Sequence, residues 1–241
     1  MGNSEYHQKI GHKVEVLIVC VNYSDFLKIT LPKNKKQMQN ITVITDFNDK
    51  ETVNICNEND VDYILTDEFY RYNFPFIKSA GYTVAFNFLH YKDWVLLIDS
   101  DVILNENFGL YIKENISELN MECIYGCPCA LIKNYSDFLL FENKKIQIDE
   151  LNFLSDEWLC NGYFQLFNFD KFKDNNIWEI YPQTGDGKDE DVLFRLKFGN
   201  NYIKDGKWVT DKNFQKMIDL PVVHLGELGI NHDGRKSKRF E

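Results

Sequence analysis

Trp94-Val95-Leu96-Leu97-Ile98-Asp99-Ser100-Asp101 sets five apolar residues directly before a pair of acids. Such a run reads as a central strand buried on both faces that ends where the chain turns out toward solvent. Carboxylates this close repel and raise each other's pKa unless a cation, solvent or hydrogen bonds offset the repulsion. A hard divalent ion, Mg²⁺ or Mn²⁺, would do so through oxygen ligands. The same acids also read as a loop of capping and solvated carboxylates, and the motif alone does not separate the two readings.

Upstream, short β-branched runs alternate with helix-like stretches: Val14–Val21, Ser24–Lys36, Ile41–Thr45, Lys50–Asn57, Val61–Leu65 and Phe76–Tyr91 precede the acidic strand. This alternation predicts βαβ units and a parallel sheet, whose ligands bind beyond the carboxyl ends of the strands. Val21, Asn22 and Tyr23 follow the first run and Asp46 follows the second. Ser24 and Asp49 are candidate N-caps, and Pro32 is expected to kink the first helix or end it early. Beyond Asp101 the apolar runs are short: Ile124–Tyr125, Ala130–Ile132, Tyr163–Phe167 and Leu220–Val223. They predict an α+β second half that completes the same sheet. No Gly/Ser-rich or Pro-rich linker and no repeat separates the halves, so a single domain over residues 1–241 is expected.

Asp and Glu number 37 against 27 Lys and Arg, a formal charge of -10, which argues against a protein that grips nucleic acid by neutralising phosphates. The basic cluster Lys236-Ser237-Lys238-Arg239 reads as a solvated tail. Val14–Val21 is too short to span a bilayer and no export signal is evident, so a cytoplasmic protein without a transmembrane segment is expected. The start Met1-Gly2-Asn3-Ser4-Glu5-Tyr6 departs from a myristoylation signal at Tyr6. The six cysteines then read as reduced thiols, and Cys123, Cys127 and Cys129 lack the paired spacing of a zinc site. The glycosylation sequons at Asn22, Asn40, Asn115 and Asn134 carry no weight in that compartment.

Four further stretches carry chemistry-bearing residues. Phe74-Pro-Phe-Ile-Lys78-Ser-Ala-Gly81 places a lysine shortly before the acidic strand, where it also reads as a solvated charge. Asn161-Gly162-Tyr-Phe-Gln-Leu-Phe-Asn168 puts a glycine before an apolar run, either for close backbone approach to a ligand or as an ordinary turn. Asp189-Glu190-Asp191 opens a helix with Val192, Leu193 and Leu196 on one side, and helix capping alone accounts for acids there. His224 ends the run Leu220-Pro-Val-Val and is followed by Gly226, Gly229, His232, Gly234 and Arg235; an isolated histidine there also reads as a hydrogen-bonded structural residue.

Taken in this order, from Val14 to Arg235, the motifs resemble those of the GT-A fold nucleotide-sugar-dependent glycosyltransferases: a D-x-D pair, a glycine loop, an x-E-D motif and a late histidine. The resemblance implies an α/β, Rossmann-like nucleotide-diphospho-sugar transferase fold, one domain with a central mixed sheet. Its nucleotide-binding half would cover residues 12–101 and its acceptor-binding, catalytic half residues 102–235. It implies Asp101, Asp99 and His224 at a Mn²⁺ or Mg²⁺ ion, with Asp99 and Ser100 on the donor side. Val21, Tyr23 and Asp46 would hold the nucleobase, Lys78 and Gly162 would face the donor, and Asp191 would be the base that activates the acceptor, Glu190 being the alternative. The glycines after His224 would form a loop that closes over the donor, with Arg235 or His232 reaching its phosphates.

The expected activity is transfer of a sugar, of the hexosyl or N-acetylhexosaminyl type, from a nucleotide-diphosphate donor to a hydroxyl of a carbohydrate or glycoconjugate. A UDP-sugar is the favoured donor and inversion the favoured outcome. One rival is a nucleotidyltransferase acting on sugar phosphates; such enzymes open with a glycine-rich phosphate loop, and here Asn22-Tyr23-Ser24 follows the first strand. The other is a non-catalytic carbohydrate- or nucleotide-binding module on the same fold.

Overall fold

The computed structural model describes residues 14–73, 76–90, 93–154, 160, 162–182, 190–204, 207–209, 211–227 and 237–240. Asn161, Asp189, Gly229, His232, Gly234 and Arg235 lie outside the described residues.

The first half alternates as its pattern predicts: β1 (Val14–Val19), α1 (Ser24–Gln37), β2 (Ile41–Thr45), α2 (Lys50–Glu58), β3 (Asp62–Leu65), α3 (Lys78–Phe86) and β4 (Trp94–Asp99). Helix α1 has Tyr23 rather than Ser24 at its cap, and Ser24 Oγ instead donates to Glu51. Pro32 does not end this helix. The carbonyl that its missing N–H leaves over belongs to Lys28, an exposed residue, where water can take the place of the lost bond. Asp49 is an N-cap, its carboxylate accepting from Thr52 N at 3.1 Å and Thr52 Oγ1 at 2.7 Å. Helix α3 is shorter than the apolar pattern from Phe76 to Tyr91.

The second half continues with β5 (Val102–Ile103), α4 (Phe108–Asn115), β6 (Ile124–Gly126), β7 (Cys129–Ile132), α5 (Tyr135–Glu142), β8 (Asn152–Phe153), β9 (Phe164–Asn168), α6 (Ile177–Ile180), α7 (Glu190–Arg195), β10 (Tyr202–Lys204), β11 (Lys207–Val209), β12 (Gln215–Met217) and β13 (Val222–Leu225). Seven strands make the main sheet in the order β12-β6-β9-β4-β1-β2-β3. Strands β1 to β4 run parallel, and β9 is antiparallel to both of its neighbours, β4 and β6. The expectation that the whole second half completes this sheet is corrected: β5, β13, β7 and β8 form a separate four-stranded sheet.

Alternation along β1 and β4 divides the core. Val16, Ile18, Leu96 and Ile98 meet Leu27 and Leu31 of α1, Ile55 of α2 and Phe108 of α4 on one face. Leu17, Val19, Val95 and Leu97 meet Tyr82, Ala85 and Phe86 of α3 and Phe194 of α7 on the other. A strand with period-two side chains and helices on both faces must be apolar at every position, which is why Trp94–Ile98 carries no polar residue. Under the small sheet, Phe26, Ile103, Phe138, Val223 and Phe240 form a third cluster. Phe240 stacks on Phe26 with ring centroids 5.0 Å apart, and its N–H donates to the Asp25 carboxylate.

All six cysteines are free and buried, and burial pushes Cys56, Cys129 and Cys160 up to about 12. No helix among the described residues is long and apolar enough to cross a membrane.

Candidate active site

Strands β1, β2 and β4 are parallel neighbours in register, so the loops after Val19, Thr45 and Asp99 emerge at one edge of the sheet. There the Asn22 N–H donates to Asp49 Oδ2 at 2.7 Å, joining the loop that carries Val21 and Tyr23 to the one that carries Asp46. Asn22 has φ of 61°, a left-handed conformation that asparagine tolerates better than most residues. Asp46 is buried and accepts from the Asn48 N–H at 2.7 Å, a turn fixed by its own side chain. Phe47 and Tyr70 remain exposed, and Tyr70 is near enough to Asp46 and Asp49 that, after burial, these acids raise its phenol.

The acidic turn is held from beneath by α1. Thr30 Oγ1 donates to the Ser100 carbonyl at 2.6 Å, Asn34 Nδ2 donates to the Val102 carbonyl at 2.8 Å, and the Leu104 N–H donates to Asn34 Oδ1 at 2.8 Å. Both side chains are fully buried, so their polar atoms need these partners. Neither was among the residues singled out in the sequence, although both interrupt the apolar stripe of Phe26, Leu27 and Leu31 at helical spacing.

Asp99 and Asp101 then diverge. Asp99 Oδ1 lies 2.6 Å from Lys78 Nζ, at the first residue of α3. Burial alone would draw the Lys78 ammonium down, but Asp99 outweighs it, with Tyr82 and Asp191 adding, and holds it above the ordinary lysine range. Asp101 instead faces His224. Strand β13 pairs with β5 so that His224 registers with Val102, and the Leu225 N–H donates to the Asp101 carbonyl at 2.9 Å.

This places His224 Nε2 at 3.6 Å from Asp101 Oδ1, too long for a hydrogen bond and close enough for both to reach one cation. Asp101 Oδ1 and His224 Nδ1 are buried with no hydrogen-bond partner. Burial pushes the Asp101 carboxyl up, His224 pulls it partly back, and Asp99 adds to the rise. Of the three expected metal ligands, the structure brings together Asp101 and His224 and engages Asp99 with Lys78. Among the described residues no three His, Cys, Asp or Glu side chains are grouped to hold an ion by themselves. The Asp101–His224 pair fits a cation whose remaining ligands come from elsewhere, because His224 Nε2 faces a carboxylate oxygen that is buried without a hydrogen-bond partner.

The x-E-D acids also divide. Asp191 Oδ2 accepts from the Gly162 N–H at 2.7 Å. A Cβ on Gly162 would lie 3.0 Å from both Asp191 Cβ and Oδ2, so any side chain there would press on the Asp191 carboxylate. Glu190 is buried, and its carboxylate accepts from the Ser79 N–H at 3.1 Å in the first turn of α3, where a negative charge is favoured. That contact turns the alternative base toward the fold. The buried apolar residue of this helix is Phe194, while Val192, Leu193 and Leu196, expected to form its inner side, are only half-buried. Phe194 stacks on Tyr181 at 4.5 Å.

No family model and no curated protein sequence matches the chain. Its fold is shared with solved structures at low identity. Mannosyl-3-phosphoglycerate synthase from Rubrobacter xylanophilus aligns with a TM-score of 0.52 at 14% identity, over 92% of this chain and 70% of that one. Glucosyl-3-phosphoglycerate synthase from Mycobacterium tuberculosis, solved with Mn²⁺, UDP and phosphoglyceric acid, aligns with a TM-score of 0.50 at 12% identity, over 91% of this chain and 72% of that one. The architecture is therefore the GT-A, Rossmann-like α/β fold with a central mixed sheet.

Proposed function

We propose that this chain is a metal-dependent glycosyltransferase that moves a sugar from a nucleotide-diphosphate donor, a UDP-sugar, to a hydroxyl of a carbohydrate or glycoconjugate, with inversion. The observation that carries the reading is the buried Asp101–His224 pair, His224 Nε2 lying 3.6 Å from an Asp101 oxygen that is buried without a hydrogen-bond partner, beside the carboxyl edge of a Rossmann-like sheet. Asp101 and His224 would hold Mn²⁺ or Mg²⁺, with donor diphosphate oxygens completing the shell. Bound there, the cation supplies positive charge against the charge that develops on the departing diphosphate. The fold likeness to an enzyme solved with Mn²⁺ and UDP supports this choice of donor and ion.

The chain's own residues do the rest. Val21, Tyr23 and Asp46 receive the nucleobase at the joined first and second loops, Asp46 as an acceptor for a ring N–H. Asp99 and Ser100 line the donor side, Lys78 fixes the Asp99 carboxylate, and Gly162 lets the backbone approach the sugar. Asp191 takes the acceptor proton: the acceptor oxygen bonds to the anomeric carbon as the bond from that carbon to the diphosphate oxygen breaks, and the hydroxyl proton passes to the Asp191 carboxylate. Glu190 stabilises the helix that presents Lys78. Six buried, reduced thiols agree with a cytoplasmic location.

The test is release of UDP from a panel of UDP-sugars with Mn²⁺ and candidate acceptors, with the product anomer read by NMR. Asp191→Asn is expected to lower turnover about 10³-fold while UDP binding persists. Normal turnover by that variant removes Asp191 as the base, and release of pyrophosphate from UTP and a sugar 1-phosphate, with no UDP released from the UDP-sugars, would make the chain a nucleotidyltransferase.

A further inference from the structure

Strand β9 carries a glutamine in the middle of the apolar sheet. Gln165 is fully buried, pairs with Leu97 of β4, and lies between Phe164 and Leu166, both also fully buried. An amide at such a position costs stability unless its hydrogen-bonding capacity is met. It is met by three groups that converge on the x-E-D helix and the glycine loop. Gln165 Nε2 donates to the Cys160 carbonyl at 2.9 Å and to the Asp191 carbonyl at 3.1 Å, and the Tyr181 hydroxyl donates to Gln165 Oε1 at 3.1 Å.

These partners fix which way the amide points. Two carbonyls can only accept, so both face the NH₂ group, and the carbonyl end is left for the one hydroxyl present. Burial, with Asp191 next, holds the Tyr181 phenol well above its ordinary range, so it stays a donor. Cys160 has a φ of 56°, an unfavourable conformation for a side chain of this kind, and its carbonyl is held by the amide. Two residues on, the Gly162 N–H reaches the Asp191 carboxylate at 2.7 Å. The contacts close a ring: from Gln165 to the Cys160 carbonyl, along the loop to Gly162, across to the Asp191 side chain, and through the Asp191 carbonyl back to Gln165.

We propose that Gln165, oriented by Tyr181, is a positioning residue that acts through Asp191: it locks the Asp191 backbone to the Gly162 loop and so fixes the direction of the carboxylate. A glutamine there costs the sheet an apolar residue and joins two segments that come from different parts of the chain. The inference rests on the reading of Asp191 as the base.

The experiment compares Gln165→Leu, Tyr181→Phe, Asp191→Asn and the double variant Gln165→Leu/Asp191→Asn, by steady-state UDP release with Mn²⁺ and by calorimetric UDP binding. Gln165→Leu is expected to lower kcat about tenfold or more, with the donor KM within about twofold and UDP affinity unchanged. Tyr181→Phe keeps the ring stacked on Phe194 and is expected to lower kcat about threefold. In the Asp191→Asn background the Gln165 change is expected to have no further effect, because its only route is the missing carboxylate. The proposal is overturned by an unchanged kcat in Gln165→Leu, by an equal loss in both backgrounds, or by weakened UDP binding that accounts for the loss. If Gln165→Leu does not fold, Tyr181→Phe decides by the same criteria. Full turnover by Asp191→Asn removes the base assignment, whereas loss in that variant with normal Gln165→Leu removes this inference alone.

Discussion

The two sides of the candidate site are held together in opposite ways. On the proposed nucleotide side each turn is built from bonds short in sequence, Asp46 bonding its neighbour but one and Asp49 capping the helix that it begins, and one longer reach, from Asn22 to that cap, joins them. On the catalytic side every candidate depends on a distant partner: Asp101 faces His224, Gly162 holds Asp191, and Ser79 binds Glu190. The first arrangement survives local damage, because each turn carries its own stabilising bonds. In the second, a single substitution releases a group that nothing nearby can hold.

The largest expected effect is at Asp101. Asp101→Ala should lower turnover about 10³-fold and abolish the Mn²⁺ dependence of UDP binding in calorimetry. Metal-dependent binding that survives would break the contrast, since the distant pair would then hold nothing. Asn34→Leu should cost about 2–3 kcal/mol in urea denaturation, because it strands a buried carbonyl and a buried N–H beneath the acidic turn. Gly162→Ala should lower kcat about tenfold with little change in melting temperature, the new methyl pressing on the Asp191 carboxylate. The smallest effect belongs to the local side: Asp49→Ala should cost about 1–2 kcal/mol, the upper range of a lost cap because the Asn22 and Thr52 contacts go with it, with activity largely kept. A loss at Asp49 as large as at Asp101 would show the nucleotide side to be as interdependent as the other.

The same contrast decides what was legible in the sequence. Strands β1, β2 and β4, their parallel order and the Asp49 cap follow from periodicity and capping rules that act within a few residues. Asp99 and Asp101 were found by their position after an apolar strand. The Lys78 partner of Asp99 was not visible, because that contact needs α3 folded over β4, and the contact of Asp101 with His224 needs β13 paired with β5. The small sheet was missed because its strands are short and pair out of sequence order, which no local pattern encodes. Glu190 stood as the alternative to Asp191, and its contact with the Ser79 N–H is invisible in the sequence because it needs α3 in place. Gln165 was hidden inside an apolar run, yet a lone amide among buried aromatic and aliphatic residues is itself a signal that something must satisfy it.

Strand β9 also governs the order in which the chain can be assembled. Strands β1 to β4 can pair as soon as they leave the ribosome, but β9 must then slot in antiparallel between β4 and β6 after β5 to β8 have been made. Until it does, Trp94–Ile98 is an unpaired, wholly apolar edge, the kind that recruits other chains. The strand that carries the amide beneath Asp191 is thus the one that removes this edge, so the nascent chain is exposed to aggregation until the catalytic side has closed.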